Sequence, residues 1–147
     1  MSAALLDVNV LAALFDTEHL NHEAAHRWLG SHGRKPWATC PLTINGCIRV
    51  LSHPSYPTVR ATAAEIVAHL RVLCARSSHE FWPDDVSMLD ETRCRASRLT
   101  GAAQVTDVYL LSLAVSRKGR LVTFDRRIPL EAVPGAVASQ MEVLPVR

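Results

Sequence analysis

The chain has 147 residues, the size of one compact domain, and 48% of them are apolar, enough to bury a sizeable core. A net charge of +2 with 20% charged residues excludes a disordered chain and announces no broad polyanion-binding surface. No apolar run approaches the ~20 residues that span a bilayer, and no basic segment precedes the early apolar stretch, so the expectation is a cytoplasmic protein with neither signal peptide nor membrane contact.

Residues 3–8 read as a first strand, with Asn9 capping a helix that runs to about Phe15. After a polar stretch, an amphipathic helix covers residues 23–29, ended by Gly30 and Gly33. Residues 36–39 form a second short strand, and Pro41 opens a helix through Ile48 and Leu51 that His53-Pro54 terminates. Pro57-Thr58 or Thr62 opens a long helix, with Ala63, Ile66, Val67, Leu70 and Leu73 at helical spacing. Residues 79–83 are a third strand, after which Asp84 or Asp85 caps a helix carrying Met88, Leu89, Arg93, Arg95 and Arg98. Thr106 caps a helix over 107–117 that Lys118-Gly119 closes. Residues 121–124 are a fourth strand and 142–146 a fifth, at the sheet edge. Strands alternating with helices predict one α/β domain over residues 1–147, with helices on both faces of a mostly parallel sheet of four to five short strands.

Two apolar runs far apart end in the same acid: Leu5-Leu6-Asp7 and Val122-Thr123-Phe124-Asp125. A third acid, Asp107, opens the apolar stretch 108–115. A buried strand that stops at a carboxylate puts it at the C-terminal edge of the sheet, where open α/β sheets bind ligands. Three aspartates converging there make an oxygen-donor site for Mg²⁺ or Mn²⁺. Such a site suits phosphodiester cleavage, because the metal polarises the phosphoryl oxygen and acidifies a bound water. Each aspartate alone reads equally well as a helix cap. Cys40, Cys47, Cys74 and Cys94 are widely spaced with no C-x-x-C pair, so they read as free thiols of a reducing compartment.

Several segments carry a family resemblance. Leu6-Asp7-Val8-Asn9, Pro41-Leu42-Thr43 with Asn45, Gly46 and Arg49, Phe81-Trp82-Pro83-Asp84-Asp85, Thr106-Asp107 with Tyr109, and Thr123-Phe124-Asp125 resemble, in order and spacing, the PIN-domain ribonucleases. More narrowly, they resemble the VapC toxins of bacterial toxin–antitoxin pairs. The resemblance implies a PIN-like three-layer α/β/α fold and an endoribonuclease dependent on Mg²⁺ or Mn²⁺ that cleaves transfer or ribosomal RNA. It also implies a homodimer, a cognate VapB-type antitoxin, and operator DNA bound only through the antitoxin complex. It assigns Asp7, Asp107 and Asp125 as catalytic metal-binding acids, and Asn9, Thr43, Thr106 and Thr123 as polar support. Arg49, Arg126 and Arg127 lie near these segments in sequence and read either as RNA-phosphate contacts or as solvated surface.

One position departs from the pattern. The family has a glutamate between Thr43 and Asn45, and this chain has Ile44. Asn45 is no substitute, since one step along a helix turns the side chain ~100°. A missing acid weakens the metal site, through a natural or an introduced change, unless Asp84, Asp85 or Asp90 compensates. The alternative function is therefore a catalytically impaired toxin acting mainly through its antitoxin complex.

Two other chemistries are weaker fits. His22-Glu23-Ala24-Ala25-His26 matches the zinc-protease pattern H-E-x-x-H, with His32 near a third-ligand position. Only 21 residues precede it, too few for the sheet a zinc protease sets beside its active-site helix, and an amphipathic helix explains the same residues. A haloacid dehalogenase-type phosphatase needs a second acid two residues after Asp7 for proton transfer, where Asn9 stands.

Overall fold

The computed structural model describes residues 2–32, 34–76 and 78–146. Five short parallel strands form one sheet: β1 (Ala4–Leu6), β2 (Trp37–Thr39), β3 (His79–Phe81), β4 (Arg120–Thr123) and β5 (Met141–Val143). Their order is β3-β2-β1-β4-β5, so β1 is central and β5 is an edge. Ala4 pairs with Trp37 on one side and with Arg120 on the other. This is the parallel α/β architecture the sequence predicts, with both faces covered.

Period-2 alternation along the strands builds two cores. Leu6, Trp37 and Val122 point into one, with Val10, Leu11, Trp28, Cys47, Leu51 and Ile66 from the helices. Leu5, Ala38 and Leu121 point into the other, with Trp82, Val108, Leu111 and Leu113. The first face is covered by α1 (Val8–Phe15), α2 (His22–His32), α3 (Pro41–Ser52) and α4 (Ala63–Cys74). The second is covered by α5 (Val105–Ser116) and irregular chain. Among the described residues no helix is long and apolar enough to cross a membrane.

Several predicted boundaries shift, each for a local reason. The first strand ends at Leu6, and Asp7, not Asn9, is the N-cap of α1. The second helix runs from His22 through Gly30 to His32. It continues because buried His32 stacks on Trp28 at 4.4 Å and its Nε2 donates to Pro36 O at 3.0 Å; Gly33 lies outside the described residues. Thr62, not Thr58, opens α4, through reciprocal bonds with Glu65. Thr106 stands exposed inside the first turn of α5, whose N-cap is Gln104.

No α-helix forms between Asp84 and Leu99. Asp90 Oδ1 instead accepts from the Thr92 N–H and hydroxyl, and Ser87 Oγ accepts from the Leu89 N–H. These local bonds compete with the helical ladder. Asp84 accepts from Leu42 N, at the start of α3, and Asp85 pairs with Arg117 at 2.9 Å. Arg93 therefore lies in a turn, Arg95 in extended chain, and Arg98 in a short 3₁₀ segment.

Gly119 is required by a close approach. A Cβ there would run into the carbonyl oxygen of Ala3, where β4 enters the sheet beside β1. The left-handed residue ending α5 is Lys118, with φ 55°.

Candidate active site

β1 and β4 are neighbours, so their C-terminal ends bring Asp7 and Asp125 to one edge of the sheet. Asp7 is buried, with Val8 N–H donating to Oδ1 and Thr123 Oγ1 donating to Oδ2, both at 2.7 Å. Thr123 is fully buried and its hydroxyl is a hub. It also accepts from Asp125 N–H at 3.1 Å and from Asn9 Nδ2 at 3.4 Å. Asn9 Oδ1 in turn accepts from Phe124 N–H. One hydroxyl thus ties the two acids that end β1 and β4.

Asp107 comes from the first turn of α5, half-buried. Burial, then the charges of Asp7 and Asp125, push its carboxyl up to about 6, against a smaller opposite pull from Arg127. Asp7 is raised too, by burial foremost and by Asp125, although its bonds from Thr123 and Val8 oppose the shift. Two raised carboxyls, Asp7 and Asp107, beside the charge of Asp125 are an electrostatic deficit a cation relieves. The all-carboxylate donor set matches a hard divalent ion. Among the described residues, no three His, Cys, Asp or Glu side chains stand as a ready-made metal cluster. Asp7, Asp107 and Asp125 fit such an ion by chemistry and charge, in a set lacking the fourth acid.

The other predicted residues separate. Asn9 and Thr123 join the acids, as described. Thr43 does not share their hydrogen bonds: its hydroxyl exchanges bonds with the Cys40 backbone and caps α3. Ile44 is partly buried and packs on the core beneath α1–α4. Arg126 and Arg127 line a cleft of about 470 Å³ with Asn9, Phe124, Asp125 and Val146. Arg49 lies two turns along α3, exposed, beside His53 and Tyr56 in a separate groove. Nothing in the local sequence announces Val146, which reaches the cleft only because β5 pairs with β4.

The H-E-x-x-H residues have a structural task. His22 donates from Nδ1 to Ala13 O at 2.7 Å, and His26 from Nε2 to Leu14 O at 3.0 Å. Their rings pack at 4.3 Å and close the C-terminus of α1, where orphan carbonyls need donors. Asp16, just past that end, accepts from Tyr56 OH and from Glu18 N–H, and is also held by Thr58.

A short parallel sheet with acids gathered at its C-terminal edge defines a nuclease-like α/β domain. The PIN domain model matches residues 4–135, and the chain belongs to the PIN-domain family, among its VapC ribonucleases. It is similar to ribonuclease VapC44 of Mycobacterium tuberculosis, 48% identical over 145 residues, 96% of this chain and 99% of that one. It is also similar to ribonuclease VapC39 of the same organism, 40% identical over 134 residues, 91% and 96% of the two chains. The crystal structure of VapC20 of M. tuberculosis, described as a sarcin–ricin loop cleaving toxin, matches with a TM-score of 0.63. That likeness covers 97% of this chain and 100% of that one at 13% identity, and so supports the three-layer fold.

Proposed function

We propose that this chain is the toxin of a type II toxin–antitoxin pair, an endoribonuclease dependent on Mg²⁺ or Mn²⁺. The observation that carries this reading is the meeting of Asp7 and Asp125 on the Thr123 hydroxyl, with Asp107 near enough that, after burial, their charges help raise it to about 6. A divalent cation held by these acids would polarise the phosphoryl oxygen and acidify a water for attack, leaving 5′-phosphate and 3′-hydroxyl ends. The protein's own part is positional. Thr123 sets the Asp7 carboxylate against Asp125, and Asn9 ties α1 to the end of β4. Arg126 and Arg127 face the cleft and suit a phosphate backbone.

The substrate class is cellular RNA, ribosomal or transfer; the relatives named ribonucleases support RNA. The sarcin–ricin loop named for VapC20 makes ribosomal RNA the first to examine. The partner is a VapB-type antitoxin, with operator DNA reached only through that complex. A groove of about 460 Å³ between α1, α2 and α4, lined by Leu11, Leu14, Phe15 and Leu73, suits an antitoxin's apolar face. The toxin works in the cytoplasm as a homodimer.

Sequencing RNA ends after brief induction tests the reading, with Asp7→Asn as control. Discrete new ends in the wild type alone are expected, and identical cleavage in the control would remove Asp7 from the chemistry.

Position 44 favours a second reading, an impaired toxin working mainly through its antitoxin complex. Its support is the apolar packing of Ile44 where the family carries an acid. Ile44→Glu should raise Mn²⁺-dependent cleavage. Equal activity in the two proteins would show that position 44 does not limit the site.

A further inference from the structure

Arg127 stands at the solvent-exposed rim of the cleft that Asn9, Asp125 and Arg126 also line. Its backbone N–H and its side-chain Nε both donate to one oxygen of Asp125, Oδ1, at 2.8 and 3.2 Å. The guanidinium also acts on Asp107, countering the push from the other two acids. Arg126, one residue earlier, lines the same cleft. Among the described residues, Arg127 alone forms an ion pair with a site acid.

We infer that Arg127 is an exchangeable counter-ion: it occupies Asp125 Oδ1 when no divalent cation is held, yields that oxygen when one binds, and then grips an RNA phosphate. The inference rests on the reading of the three acids as a metal site. A guanidinium and a divalent cation on one carboxylate oxygen would repel each other, so one displaces the other. The Arg127 side chain is 89% exposed while its Asp125 partner is 24% exposed, so the arginine is the mobile member. An exposed pair is weak enough to exchange. Once released, its planar fork lies at the cleft mouth with two N–H groups suited to phosphate oxygens. Arg127 is thus a positioning residue that couples metal loading to substrate grip.

The test uses the full chain and two readouts. Mn²⁺ affinity is followed by electron paramagnetic resonance of the free ion, in wild type, Arg127→Ala, Arg127→Gln and Arg126→Ala. Binding of a short single-stranded RNA is measured with Ca²⁺ in place of Mn²⁺. Both Arg127 variants should bind Mn²⁺ about two- to five-fold more tightly, the range open to an exposed ion pair. They should also bind RNA about tenfold more weakly, with a shallower salt dependence. Arg126→Ala should leave Mn²⁺ affinity within about twofold. Unchanged or weaker Mn²⁺ binding in the Arg127 variants would overturn the exchange. Equal tightening by Arg126→Ala would overturn it too, by reducing the effect to net charge. Absence of Mn²⁺ binding in wild type and every variant would overturn the metal site along with it.

Discussion

Thr123→Val tests the hub without involving any metal. Valine keeps the shape of threonine and suits a strand, so packing in β4 is preserved. The hydroxyl's three partners are not. Asp7 Oδ2 loses a buried donor at 2.7 Å, and the Asp125 N–H and Asn9 Nδ2 lose an acceptor. A hydrogen bond to a charged group contributes about 1.5–3 kcal/mol, and the two weaker partners can find water at the cleft. The expected loss is about 2 kcal/mol in urea unfolding at pH 7. The deficit should be pH-dependent with a defined sign. Burial already raises the Asp7 carboxyl, and the Thr123 bond opposes that rise. Removing the bond raises the folded-state value further, so the variant takes up its proton at higher pH than wild type. As pH falls through that range, protonated Asp7 no longer needs the donor and the deficit shrinks. Thr123→Ser should restore most of the stability. A Thr123→Val protein within 0.5 kcal/mol of wild type at pH 7, about the scatter of neutral surface changes, would refute the hub. So would a deficit of constant size down to pH 4.

Asp107→Asn should stabilise the metal-free protein at pH 7 by about 1–2 kcal/mol, read by thermal or urea unfolding, since solvent screens part of the shift at this half-exposed carboxyl. The folded-state carboxyl titrates near 6 against 3.8 unfolded, so wild type loses stability as pH rises through that window; below it the variant's advantage should vanish. Asp16→Asn should have the opposite sign. Burial lifts the Asp16 carboxyl, but bonds from Thr58, Glu18 N–H and Tyr56, with His19 nearby, hold it below its ordinary value. Its stabilising contribution is present above the unfolded value and is lost as pH falls through the folded one, so the variant should lose about 1–2 kcal/mol at pH 7 and little under acid. Gly119→Ala should cost about 1–3 kcal/mol in urea unfolding, because the new methyl meets the Ala3 backbone rather than a flexible side chain. A neutral Gly119→Ala would show that β4 can move relative to β1.

What could be read in advance was what local chemistry decides. Thr62 as one of two offered helix starts, Pro41 at a helix start and the apolar runs at Leu5-Leu6 and Leu121-Val122 act over a few residues, and the structure keeps them. What was hidden depends on partners distant in sequence. Gly30 invites a helix end, yet Trp28 and His32 carry α2 past it by packing on each other and bonding to Pro36. Gly119 looks like the left-handed cap of α5, yet Lys118 takes that conformation and the glycine serves the contact with Ala3. Asp84 looks like the cap of a following helix, yet it caps the earlier α3 from 42 residues away. The acids were visible because each adjoins an apolar run. The Asp16 cluster was not, because Tyr56 and Thr58 reach it across 40 and 42 residues.

Position 44 sets stability against site chemistry. Asp7 and Asp107 are raised carboxyls whose ionisation at neutral pH opposes folding, and on the proposed reading of the site a fourth acid from position 44 would deepen that opposition. Ile44 instead adds apolar contact to the core beneath α1–α4, a gain of about 1 kcal/mol for a half-buried side chain. On the proposed reading of the site, the isoleucine favours the metal-free fold, while a glutamate would favour a loaded site and offset its cost only with the cation bound. The two effects separate in one comparison of Ile44→Glu with wild type. Unfolding without divalent ion should show the variant less stable, and saturating Mn²⁺ should narrow or reverse the gap. A gap that Mn²⁺ leaves untouched would place position 44 outside the reach of the ion and return Ile44 to a packing role alone.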